Sequence, residues 1–249
     1  MLYVLLFVLG AAWGSFLNVI ACRIPEGRSF VRGRSMCAHC GAQLRWHDLI
    51  PVASWLLLWG KCRYCGTHVS IQYLLSELGV GALAVFGAFV VTTPVHALIY
   101  GAVVSFFTVL FIYDLRTYIV PDSIAIPAIV VIGGLNVVMV SDSASLLLGG
   151  AFGGAWFLVQ FLLSRGRWVG GGDVRLGVLM GVLLGHPLVW LGLGLAYVGG
   201  SAVAAVLVAT TRLTLKSRLP FATLLLPAAF AAWVFGEGLW NWYRAFIGL

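Results

Sequence analysis

Eight runs of apolar residues, joined by mostly short polar links, restrict this chain to one kind of surroundings. The runs are 2–21, 73–91, 95–113, 123–140, 144–163, 174–185, 188–211 and 219–235. A helix needs about 20 apolar residues to cross the hydrocarbon core of a bilayer. Most of the runs approach that length. The sixth falls well short before Gly185-His186-Pro187 and must be tilted, re-entrant or shielded by its neighbours. Within lipid every backbone polar group has to be bonded internally, so such segments fold as helices. Composition agrees, with 61% apolar and only 9% charged residues, whereas a soluble domain carries about 25% charged. An ordinary soluble globule, a disordered chain and a nucleic-acid-binding domain are thereby excluded. The expectation is an all-α polytopic membrane protein, a bundle of about eight transmembrane helices in a lipid bilayer with no nucleic-acid partner.

One long connection interrupts this pattern. Residues 22–72 form a loop between the first and second helices, so the chain divides into a first transmembrane helix (1–21), a loop domain (22–72) and a membrane bundle (73–249). The first run lacks a basic segment before it and is followed by Arg23, Arg28, Arg32 and Arg34. That is the reverse of a cleaved signal peptide, so the helix is retained with its N-terminus outside. With that orientation, 14 of the 15 Lys and Arg residues fall on the cytoplasmic side, and only Arg244 lies outside. The positive-inside rule therefore sets the topology, with both termini outside, and explains the net charge of +7 without an anionic ligand. The aromatic tail with Trp240, Trp242 and Tyr243 reads as an interfacial anchor.

The loop carries Cys37-Ala38-His39-Cys40 and Cys62-Arg63-Tyr64-Cys65, each followed by a glycine, Gly41 and Gly66. Four thiolates in two C-x2-C pairs can close a tetrahedron around zinc, and glycine after each pair permits the tight turn. Thiols stay reduced in the cytoplasm, which disfavours disulfides. A saturated four-cysteine site is structural, and the metal explains how a loop with little core folds. Residues 49–59, from Leu49 to Trp59, form an apolar stripe suited to the bilayer interface.

Acids at membrane helix ends are costly and point to function. Topology places Asp114, at the end of the third helix, and Asp173, at the start of the sixth, on the same cytoplasmic face. Asp142 and Glu237 lie outside. Asp122 is the rival, but it follows Pro121 and opens the fourth helix, a helix-capping context. Asp173 follows Gly170-Gly171-Gly172, a backbone bare enough for close approach of a peptide or for unusual turns. Two carboxylates sharing a site can hold one proton between them, so that one activates water and the other protonates the leaving group. No Ser/His/Asp set, zinc-protease H-E-x-x-H or phosphate-binding loop competes with this pair. The alternative is a membrane transporter or channel that uses Asp114 and Asp173 as an ion or proton site.

These residues resemble the type IV prepilin leader peptidases, membrane aspartic proteases of the G-x-G-D type that also N-methylate their products. The resemblance is carried by Gly14-Ser15-Phe16-Leu17-Asn18-Val19 with Arg23-Ile24-Pro25, and by the stretch from Cys37 to Glu77 that includes Trp46-His47-Asp48-Leu49-Ile50-Pro51. Asp114-Leu115 with Val120-Pro121-Asp122 and Gly170-Gly171-Gly172-Asp173-Val174-Arg175-Leu176 complete it. Arg175 stands for the family's lysine, Tyr73-Leu74 for its Tyr-Pro, and Pro220-Phe221-Ala222-Thr223 for its P-F-G-P.

The resemblance implies Asp114 and Asp173 as the catalytic pair, supported by Gly170, Gly172 and Arg175. It implies zinc on Cys37, Cys40, Cys62 and Cys65, and S-adenosylmethionine as methyl donor. Its substrates would be prepilin or pseudopilin precursors of type IV pili or type II secretion. Each has a basic cytoplasmic leader before a hydrophobic helix, cut after glycine at the cytoplasmic face of a bacterial inner membrane and then methylated on the new N-terminus. Asn18 and Glu77 match positions of a possible methyltransferase region. From the residues alone, Asn18 serves equally as an interhelical hydrogen bond and Glu77 as a partner of Arg23.

Overall fold

A computed structural model describes residues 1–29, 33–139, 142–210 and 219–247. Arg32, Arg212, Lys216 and Arg218, counted in the charge argument, lie outside the described residues. The described residues form helices and loops, with two isolated β-bridges and no strand. Two compact units emerge, Met1–Val91 and Thr92–Leu249.

In the first unit, α1 (Leu2–Arg23) packs along α3 (Ile71–Val90). The Gly10/Gly14 pair makes this possible, since a Cβ on Gly14 would sit 2.7 Å from the Ser76 carbonyl. Small residues let two membrane helices approach to backbone contact. Between them the loop holds a short 3-10 turn (Trp46–Leu49) and a one-turn helix, α2 (Ala53–Leu57). The apolar stripe is largely solvent-facing in this fold, with Leu57 79% and Trp59 84% exposed. Such a surface on a loop flanked by spanning helices suits contact with lipid headgroups.

The second unit holds α4 (Pro94–Thr117), α5 (Asp122–Met139), α6 (Ser143–Ser164), α7 (Gly171–Leu184), α8 (Leu188–Thr210) and α9 (Ala222–Ile247). Starts are chemically marked: the Thr93 hydroxyl accepts the His96 N–H, with Pro94 in the first turn, and Asp142 accepts the Ser145 N–H. Among the described residues seven helices are long and apolar enough to cross a bilayer, and α7, at 14 residues, is shorter. The aromatic tail is not a separate segment. It continues α9, with Trp242 stacked on Phe246 along the same helix.

At 14 residues, α7 spans about 21 Å at 1.5 Å per residue, against about 30 Å of hydrocarbon. The structure resolves this shortfall by shielding. α7 packs against α5, α6 and α9, and buries Leu176, Leu179, Met180 and Leu183. Its α6 seam is glycine on glycine. Gly149 and Gly153 face Gly177 and Gly181 so closely that a Cβ on any of them would run into the opposing backbone. Its C-terminal carbonyls, which lipid could not satisfy, are taken by α5: Asn136 Nδ2 donates to Val182 O at 2.9 Å and Leu183 O at 3.0 Å. The following turn is held by Ser145, whose hydroxyl donates to the His186 carbonyl at 2.8 Å.

Candidate active site

The second unit assembles its acids where helix ends meet. Asp114 lies in the last turn of α4 and is buried, at 3% exposure. Its Oδ2 accepts the Thr223 N–H at 3.2 Å, so the carboxylate occupies the N-terminus of α9. Free N–H groups and the helix dipole both favour negative charge there. α4 then stops at Tyr118, which takes the left-handed conformation at φ 55° and returns its N–H to the Asp114 carbonyl.

Asp173 is the third residue of α7, and its Oδ2 accepts the Gly170 N–H at 2.8 Å. This is the side-chain half of a capping box, which fixes the carboxylate over the turn that precedes the helix. Asp114 and Asp173 are distant in sequence, but α9, whose N-terminus Asp114 occupies, packs against both α4 and α7, and Asp173 lies in the first turn of α7. The juxtaposition depends on Gly172. A Cβ there would lie 2.7 Å from Val120 Cβ, so only glycine lets the loop after α4 rest on the start of α7. Gly170 has ordinary room, and Gly171 has nothing within 4 Å of an added Cβ.

Arg175 turns away from the pair. Its guanidinium donates to Asp122 Oδ2 at 2.8 Å and to the Gly171 carbonyl at 3.3 Å. It thereby ties the glycine turn to the start of α5. Asp122, the first residue of α5, is exposed and engaged in this ion pair. Sequence reasoning missed Thr223, whose contribution is a backbone N–H that its side chain does not announce.

The first unit gathers the four cysteines. The Sγ atoms of Cys37, Cys40, Cys62 and Cys65 all lie within 4.8 Å of one another. The two knuckles repeat one geometry. Cys37 N–H donates to Ala42 O and Cys62 N–H to Thr67 O, with Gly41 at φ 69° and Gly66 at φ 71° making the turns. Hydrogen bonding at Thr67 pulls the Cys65 thiol down to about 6. The donor set and its spacing fit a tetrahedral thiolate metal site.

Asn18 and Glu77 belong to the same unit. Asn18 is fully buried on α1, and its Oδ1 accepts from Gln72 Nε2 at 2.7 Å. Its Nδ2 is enclosed without a hydrogen-bond partner among the described residues. Glu77, also buried, accepts the Val52 N–H on Oε2 at 2.7 Å, while Arg23 donates to the Ser29 carbonyl at 3.0 Å. The carboxylate therefore ties α3 to the loop at Val52, a tight turn with φ 63°. Neither Gln72 nor Val52 carries a sequence signal for these roles.

Comparison with known proteins adds two family matches in chain order. The bacterial peptidase A24 N-terminal domain matches residues 8–91, and the type IV leader peptidase family matches residues 101–232. A prepilin leader peptidase/N-methyltransferase of Bacillus subtilis is 30% identical over 96% of this chain and 96% of its own length. One from Myxococcus xanthus is 36% identical over 73% of this chain, but that match covers 56% of the relative. One from Burkholderia pseudomallei is 32% identical over 92% of this chain and 84% of its own length. No solved structure matches. The glycine-supported acid pair falls within the second match and the four-cysteine cluster within the first, and the chain belongs to the type IV leader peptidase family.

Proposed function

We propose that this chain is a membrane aspartic endopeptidase that removes the basic leader from prepilin-like precursors and then methylates the new N-terminus. The reading is carried by the placement of Asp114 and Asp173, two carboxylates that accept backbone N–H groups at the end of α4 and the start of α7, helices that both pack against α9. Hydrolysis needs one proton moved off water and one moved onto the leaving nitrogen. The ionised member of the pair takes the proton of water as its oxygen attacks the scissile carbonyl carbon. The protonated member gives its proton to the carbonyl oxygen, the first carboxyl passes the proton it took from water to the departing amine, and a gem-diol hydroxyl returns a proton to the second carboxyl as the C–N bond breaks. Gly170 and Gly172 hold the turn, and Arg175 braces it through Asp122.

In this reading the protein is multi-pass in a bacterial inner membrane, with both termini outside and the acid pair at the cytoplasmic face. The sorting of 14 of 15 basic residues supports that orientation. The substrates are prepilins or pseudopilins, whose hydrophobic N-terminal helix enters from the bilayer. Cys37, Cys40, Cys62 and Cys65 hold a structural zinc that folds the 22–72 loop as a module of its own. S-adenosylmethionine supplies an electrophilic methyl group. Asn18, whose buried Nδ2 has no hydrogen-bond partner among the described residues, and Glu77, the buried acid of α3, are the residues that would hold it.

The test is cleavage of a prepilin-like substrate by purified protein. Asp114→Ala and Asp173→Ala should each lose about 10²–10⁴-fold in rate, the usual contribution of a general acid or base. Full activity in either variant overturns the pair. Methyl transfer is read separately from labelled S-adenosylmethionine on a pre-cleaved product. Asn18→Ala should reduce that step and spare cleavage, and an unchanged transfer rate would remove Asn18 from the site.

A further inference from the structure

We propose that Asp48 is a positioning residue for the metal site, holding the second cysteine knuckle in its ligating shape before metal arrives. This rests on the reading of the four-cysteine cluster as a metal site. Most of the surrounding loop is open to solvent, yet the Asp48 side chain is only 3% exposed. Its Oδ1 accepts Arg63 Nε at 2.7 Å, and its Oδ2 accepts the Tyr64 hydroxyl at 3.0 Å and the Arg45 N–H at 3.1 Å. Arg63 and Tyr64 are the two spacer residues between Cys62 and Cys65. One carboxylate thus grips both spacers and fixes the direction in which the flanking thiols point.

The anchor itself is rigid. Asp48 closes the 3-10 turn Trp46–Leu49, and its bond to the Arg45 N–H is part of the capping box of that turn. Burial works against the charge, but the bonds from Arg63, Arg45 and Tyr64 outweigh it and hold the carboxyl below its ordinary range. It therefore remains an acceptor at neutral pH. The first knuckle differs, because its spacers Ala38 and His39 make no side-chain hydrogen bond among the described residues. The two knuckles share a backbone geometry but not this brace. Residues that orient metal ligands from behind change metal affinity when lost, typically by 10–100-fold.

Arg63 and Tyr64 are about half exposed, so water can solvate them when Asp48 is changed and the loop need not unfold. The experiment is competition for zinc between the full-length protein in detergent and a chromophoric chelator. Asp48→Asn should weaken zinc binding by about 10–100-fold. Tyr64→Phe should weaken it less, and should add nothing in the Asp48→Asn background if Tyr64 acts through Asp48. Glu26→Gln, which breaks an exposed ion pair with Arg28 in the same loop, should leave affinity within about twofold on the same reasoning. Wild-type affinity in Asp48→Asn overturns the positioning role while leaving the metal site standing. Absence of bound zinc in the wild-type protein overturns both.

Discussion

The three glycines before Asp173 look interchangeable in sequence, but the structure gives them different burdens. Gly172 is the demanding one. Carbon atoms in contact sit about 3.5–4.0 Å apart, and a Cβ on Gly172 would lie 2.7 Å from Val120 Cβ. Gly172→Ala must therefore push the 118–121 loop and the start of α7 apart by about 1 Å. That loop follows directly on the helix that carries Asp114, so the separation falls between the two carboxylates. A misplacement of about 1 Å in reacting groups costs on the order of 10²-fold in rate. The expectation is a kcat lower by about 100-fold. Gly171→Ala meets nothing within 4 Å and should retain nearly full activity, and Gly170→Ala should lie between the two. Val120→Gly in the Gly172→Ala background removes the clash, leaving the carbonyl oxygen of residue 120 at 3.5 Å as the nearest neighbour, and should recover most of the rate. The assay is steady-state leader cleavage by purified protein, with a thermal melt to verify folding. Full kcat in Gly172→Ala would sink the packing argument. A loss in Gly171→Ala as large as in Gly172→Ala would show that the substrate backbone, not Val120, sets the demand for glycine.

Two further expectations concern the surroundings of the pair. Asn136→Leu strands the Val182 and Leu183 carbonyls inside the membrane unit, at a cost of about 1–3 kcal/mol. It should lower the melting temperature in detergent by several degrees, and an unchanged Tm would show that another group satisfies them. The Arg175–Asp122 ion pair is partly exposed and contributes at most about 1 kcal/mol. Asp122→Ala should therefore keep most of the cleavage activity, while Arg175→Ala, which also releases the Gly171 carbonyl, should lose more. If cleavage is lost in Asp122→Ala and kept in Asp114→Ala, the first carboxylate of the site is Asp122.

Much of this architecture was legible because its signals are long or chemically singular. The apolar runs mark α1, α3 to α6, α8 and α9, and the two C-x2-C pairs mark a cluster that closes in space. What the sequence could not convey are bonds made by unremarkable atoms between distant residues. Asn136 sits in an apolar run with no hint that its partners are two carbonyls more than 40 positions away. The Thr223 and Val52 contacts use main-chain N–H groups, which every non-proline residue carries. Glu77 illustrates the same limit, since nothing in its charge announces that it accepts the Val52 backbone N–H. Arg175 and Asp122 are 53 residues apart, and nothing local tells which of the nearby acids the guanidinium will take.

The glycine seam between α6 and α7 has a consequence for how this protein tolerates change. Gly177 lies one helical turn beyond Asp173, and its contact with Gly153 is main chain against main chain. The depth of the Asp173 carboxylate is therefore set largely by peptide geometry at the seam. Exposed apolar residues of α6, such as Leu147 and Leu162, can be exchanged for one another with little effect on where Asp173 stands, whereas a single methyl group added at the seam would move it. Variation is absorbed at the lipid-facing surfaces, and the tight tolerance is concentrated in a few atoms that have no side chain to vary.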